Sequence, residues 1–171
     1  MGFATLAFRC SAVRRGVLVV CAVALAATGW ARVVRPAPDF TWMGVTGAAK
    51  SLKSLEGQPV VLLIAPSPRD RKFRSQIREL QSDYQRLASK GLICFAAFTE
   101  ETGRVESNIP FVLAADGPRV GFIYDVPAGF AIAIIGPDGN LDYITNEVVA
   151  GQRVLDVMNN NAAMQEYLRR E

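Results

Sequence analysis

Histidine occurs at none of the 171 positions. Its absence removes Ser-His-Asp and Cys-His catalysis and every metal site built on imidazole. A metal would have to be held by carboxylates alone, and no Asp/Glu cluster stands at the spacing of a liganding loop. Cysteine is nearly as scarce. Of three, Cys10 and Cys21 fall within the first 31 residues, which leaves Cys94 single in the rest of the chain. A lone cysteine suits an oxidising compartment because it cannot mispair within its own chain. Past residue 31 there is no excess of either charge. The formal +3 comes from Arg9, Arg14 and Arg15, and the 16 basic residues that remain equal the 16 acidic ones. A neutral body gives no electrostatic case for nucleic acid or an anionic membrane surface. No cofactor is expected.

Residues 1–31 contain no acidic residue and fall into three parts. Three arginines are followed by the apolar run Gly16 to Ala27, and Gly29-Trp30-Ala31 offers small residues at −3 and −1 of a cleavage site. The run is short for crossing ~30 Å of hydrocarbon, which takes about 20 residues. The pattern predicts a signal peptide over 1–31, cleaved after Ala31, with retention as an N-terminal anchor as the other reading. Residues 32–171 are then one exported domain, periplasmic or secreted from a bacterium. Half of all residues are hydrophobic and 20% are charged, a composition that argues against disorder.

Arg32 to Phe40 is proline-rich and expected to be extended. Leu52 to Glu56 should form a short helical turn closed by Gly57, and Pro59 to Ala65 a strand buried on both faces. Ser67 reads as the N-cap of a long helix to Lys90, with Pro68 at N1 and Asp70 as the N3 acid. Phe73, Ile77, Leu80, Tyr84 and Leu87 make its apolar stripe, and Gly91 its C′ residue. Leu92 to Phe98 is a second buried strand, so the unit reads as right-handed βαβ. Pro110 to Ala115 reads as a third strand, with Asp116 capping a short helix to Tyr124. Phe130 to Ile135 and Leu141 to Thr145 should pair as a hairpin across Pro137-Asp138-Gly139, and Glu147 to Met158 should be helical.

Four strings within this order carry a resemblance. They are Pro38-Asp39-Phe40, Leu55 to Leu62 (LEGQPVVL), Tyr124-Asp125-Val126 and Ile134 to Gly139 (IIGPDG). They resemble, in sequence order, the APDF lead-in, the L-x-G-K-P-V-V-L strand entry, the Y-G-V and the I-D-x-D-G turn of the exported thiol-reductase and peroxiredoxin branch of the thioredoxin superfamily. The resemblance implies an α/β domain: a thioredoxin-like central mixed sheet with flanking helices, ending in a β-hairpin and a C-terminal helix. It does not extend to the chemistry. The family's two cysteines fall on Arg69 and Lys72, with Asp70 and Arg71 between them, and its cis-proline falls near Phe130, three residues beyond Pro127. Residues 65–67, the amphipathic helix, residues 130–139 and the Asp156/Met158 tail also resemble a bacterial family of cysteine-free thioredoxin-like domains of unknown function. Met158 to Asn161 departs from that family's Met-Pro-Met-Arg string.

Two features compete as sites. Ser67, Arg69, Arg71 and Lys72 would put cations in the first turn of a helix, where they oppose the macrodipole unless an anion binds the free N–H groups. The other reading turns those side chains into water. Cys94 would serve a one-cysteine redox enzyme, or be a small hydrophobe between Ile93 and Phe95. The reading favoured is an exported binding or interaction module, redox-inactive, whose partner is a protein or a small anionic ligand. Glu100, Glu101 and Glu106 read as the coat of a solvated loop.

Overall fold

The computed structural model describes residues 35–161. The expected signal peptide of residues 1–31 lies outside them. Β-branched and apolar residues make β3 (Val60–Ala65), and every one of its six side chains is buried because the sheet is covered on both faces. Around it run β4 (Ile93–Phe98), β5 (Phe111–Leu113), β6 (Ala131–Ile135) and β7 (Leu141–Thr145), in the order β5-β4-β3-β6-β7. β3, β4 and β5 are parallel, in register from Val60↔Ile93 to Ala65↔Phe98, whereas β6 and β7 run antiparallel. Each parallel step needs a crossover connection, helical between β3 and β4 and a loop over residues 99–110 between β4 and β5. The helix α1 (Arg71–Ala88) supplies the first, between β3 and β4.

Period two in the strands and 3.6 in the helices divides the core in two. On one face Val61, Leu63, Cys94, Ala96, Phe98, Ile132 and Ile134 meet Phe73, Ile77, Leu80 and Leu87 of α1, and Val154, Leu155 and Met158 of α3 (Gly151–Asn159). On the other face Leu62, Ile64, Phe95 and Ala133 meet Phe40, Trp42 and the helix α2 (Gly117–Ile123) with Tyr124. Phe95 holds this second layer, with Trp42 at 4.8 Å and Phe40 at 5.2 Å between ring centroids.

Two expectations are corrected. α1 starts at Arg71, because Asp70, not Ser67, caps it: the Phe73 N–H donates to Asp70 Oδ1 at 2.8 Å. Ser67 instead closes the turn before the helix, accepting from the Arg69 N–H on its hydroxyl and from the Asp70 N–H on its carbonyl. α1 ends at Ala88 with Gly91 at φ 72°, close to the expected stop. α3 starts at Gly151 rather than Glu147, since Val149 is engaged by α1. Beyond the lead-in, where the sequence pattern predicts no element, the chain is also ordered. β1 (Thr41–Met43) and β2 (Ala49–Ser51) form a hairpin, turned at Gly47 and with Trp42 facing the core. The 3-10 turn Leu52–Leu55 follows it.

Candidate functional site

The chain leaves β3 at Ala65 into Pro66-Ser67-Pro68, which cannot continue a strand. Backbone bonds tie this exit to the exit from β4. Thr99 N–H donates to Ala65, and Glu100 and Glu101 N–H both donate to the Pro66 carbonyl at 3.0 Å. The start of α1 and the loop after β4 therefore sit together beyond the carboxyl ends of two parallel strands, the position where open α/β sheets take ligands.

The four cation-site candidates do not converge there. Ser67 is consumed by its turn. Lys72 leans away, its Nζ donating to both Glu147 oxygens at 3.1 Å and to the Asn146 carbonyl at 3.0 Å. That pair is exposed and contributes at most ~1 kcal/mol, but it commits the Lys72 charge to the loop after β7. Arg71 is exposed. Only Arg69 faces the loop after β4. Asp70 meanwhile occupies one of the helix's free N–H groups with its own carboxylate, which offsets the opposing cations.

What Arg69 faces is a groove of about 830 Å³ between one flank of α1 and residues 101–106. Phe73 and Ile77 form its floor, and Arg74, Arg78 and Arg104 line it with Arg69. Among the described residues none of these four arginines has an ion-pair partner. The loop runs beside the helix and is fastened at both ends. Gly103 lies so close to Pro68 that a Cβ there would stand 2.9 Å from the ring, and Gln81 donates to Asn108 and Ser107. Arg74 and Arg78 were legible as a stripe, since 71, 74, 78 and 81 share one helix face. Arg104 comes from a loop some thirty residues on, and only the fold brings it across. Glu101 and Glu106 also line this groove and are exposed, as Glu100 is.

Cys94 sits in the same core layer as Phe73 and Ile77, 2% exposed and paired in the sheet with Val61 and Phe111. Burial pushes its thiol up to about 12. The thiol is therefore neutral throughout the physiological range, and the thiolate that exchange chemistry requires is not formed. Two results are expected. Ellman's reagent should label Cys94 only on unfolding, and a native thiol that reacts as fast as free cysteine would refute its burial. Because the folded-state value exceeds the unfolded one, the stability is complete below pH 9 and lost as pH rises towards 12. The loss is up to ~1.4 kcal/mol per unit, and Cys94→Ala should flatten this alkaline slope in urea titrations. Burial likewise raises Tyr124, whose hydroxyl donates to the Pro38 carbonyl at 2.9 Å. Among the described residues no three His, Cys, Asp or Glu side chains are grouped to hold a metal, and no helix is long and apolar enough to cross a membrane.

No family model and no curated protein matches the chain. Solved structures do. One, designated a protein disulfide isomerase from Bacteroides thetaiotaomicron, is 19% identical with a TM-score of 0.59, over 81% of this chain and 94% of its own. The exposed lipoprotein thioredoxin of Streptococcus pneumoniae aligns at 14% identity and TM-score 0.57, over 72% of this chain and 100% of its own. Peroxidoxin BcpB of Mycobacterium tuberculosis aligns at 14% and 0.57, over 74% and 95%. At this identity these neighbours establish architecture alone. The chain has a thioredoxin-like fold, with no two cysteines three apart anywhere in its sequence and its one described thiol sealed inside the sheet.

Proposed function

We propose that this chain is an exported binding domain on a thioredoxin-like scaffold, one that recognises a partner beside the start of α1 and performs no thiol–disulfide exchange. One observation carries the reading: the only described cysteine is 2% exposed in β4, while arginines line the groove beside the start of α1. Exchange needs a thiolate that can reach another sulfur, and a neutral buried thiol provides neither the charge nor the access. Export is read from residues 1–31, and several of the fold neighbours are thiol:disulfide interchange proteins or an exposed lipoprotein thioredoxin.

The test is reduction of insulin by dithiothreitol, followed as turbidity. The protein is expected to leave the rate at that of dithiothreitol alone. Acceleration that disappears in Cys94→Ser would overturn the proposal and restore a one-cysteine redox enzyme.

A further inference from the structure

We infer that the groove between α1 and the loop 101–106 binds an extended, net-acidic peptide segment of a partner protein. The inference rests on the binding-domain reading above and names the chemistry of the partner. Its length comes from the fastenings of the loop. Contact begins at Pro68 against Gly103 and ends at Gln81 with Ser107 and Asn108. From the first helical residue, Arg71, to Gln81 is ten residues, or ~15 Å at ~1.5 Å per residue. An extended chain at ~3.3 Å per residue fills that distance with about five residues.

The acidic character comes from the lining. Arg69, Arg74, Arg78 and Arg104 bring four guanidinium groups, each with donors for a bidentate carboxylate contact, and none is spent on an ion pair among the described residues. Their spread along two helical turns and an opposing loop suits several carboxylates in a row better than one compact anion. Glu101 and Glu106 stand in the same lining, which disfavours a uniformly dense polyanion and suits a segment of mixed charge with an acidic excess. The floor lies over Phe73 and Ile77, which are 1% and 5% exposed and already packed in the core, so recognition rests on the arginines rather than on apolar contact. The body's zero net charge means that attraction is local to this groove and not a property of the whole surface.

The experiment is fluorescence anisotropy of the purified protein with a fluorescein-labelled Glu-Asp-Leu-Glu-Asp-Leu peptide. Its Gln-Asn-Leu counterpart and inorganic polyphosphate serve as the comparison probes. Saturable binding of the acidic peptide is expected, weakened by salt and absent for the neutral one. Arg74→Glu/Arg78→Glu should weaken it by at least ~10-fold, and Arg104→Glu should weaken it independently from the loop side. All three positions are exposed, so the folded state should survive, which thermal melts verify. Lys72→Glu, whose cation belongs to Glu147, should leave binding within about twofold. Absence of acidic-peptide binding, binding indifferent to the arginine reversals, or equal preference for polyphosphate would each overturn the inference. The insulin assay stands apart from all of these, so exchange activity sinks the broader reading and a silent groove sinks only this one.

Discussion

Gly117→Ala should unfold a large fraction of the molecule's stability, about 3 kcal/mol or more, for a change of one methyl group. A Cβ at this position would stand 1.9 Å from the Phe98 carbonyl oxygen, 2.6 Å from its carbon and 2.8 Å from its nitrogen. Overpacking against side chains costs ~1–3 kcal/mol because side chains can rotate aside. Here the obstacle is backbone. Phe98 ends β4, registered against Ala65, and the next N–H is bonded to the Ala65 carbonyl. Gly117 is held in turn by the Asp116 cap, which accepts from the Arg119 N–H at 3.0 Å, and by the Ala114-to-Ala96 bond just before it. Neither side can retreat without breaking sheet hydrogen bonds. Four residues on, Gly121 repeats the demand, with a Cβ 2.7 Å from both Thr99 Cγ2 and the Val126 carbonyl. The pair lets α2 settle onto the end of β4 and bury Val120 and Tyr124. Urea titration and thermal melting should show Gly117→Ala lowered by roughly 10 °C. Gly47→Ala is the control. It has φ 76° but nothing within 4 Å, so it should cost only about 1–2 kcal/mol of backbone strain. Equal effects at the two sites would mean that α2 does not approach β4 as closely as described.

Such close approaches are where sequence patterns lose their grip. Continuous apolar runs announce β3 and β4, and the 73-77-80-84-87 stripe announces α1, because burial on both faces or on one stripe leaves a periodic trace. The short strand at Phe111–Leu113 and the Asp116 cap were also legible, from an apolar triplet and an acid before Gly-Pro. The β1–β2 hairpin was not. Its one core side chain, Trp42, sits among exposed residues such as Met43 and Val45, so no alternation shows. The helix start was misplaced by three residues because Ser67 and Asp70 both have capping chemistry and the same spacing to a following residue. Only the turn that Ser67 closes decides between them. The same shift altered the site. A pattern of cations around residues 67–72 pointed to the right end of the helix, but charges next to one another in sequence lie on different sides of a helix. Lys72 went to Glu147 and Arg69 to the groove, and its other arginines come from the next turns and from position 104.

Gln76→Leu should cost about 2–4 kcal/mol even though leucine suits an apolar stripe better than glutamine does. Gln76 has 0% exposure between Phe73 and Leu80, the one amide among the buried residues of α1. Its side chain bonds both backbone groups of one residue. Nε2 donates to the Val149 carbonyl and Oε1 accepts from the Val149 N–H, each at 2.8 Å. The glutamine thus does for Val149 what a neighbouring strand does for its partner, in a segment where the sheet has already ended. Val148 and Val149 can then pack against the core, and α3 can begin at Gly151 with α1 alongside. Leucine recovers some transfer free energy but strands a donor and an acceptor, each costing ~1–3 kcal/mol once buried. Gln76→Glu separates hydrogen bonding from packing, because its shape is unchanged. An ionised carboxylate can accept from the Val149 N–H but opposes its carbonyl, so at pH 7 this variant should be at least as unstable as Gln76→Leu. A buried carboxyl has its folded-state pKa raised, and the stability it permits is present below the unfolded value near ~4.3 and lost as pH rises. Denaturant titrations should therefore show Gln76→Glu regaining ground on the parent at pH 4, where a protonated oxygen can donate to Val149, while Gln76→Leu does not. A pH-independent gap for both variants would mean that the side chain fills space in the core and nothing more.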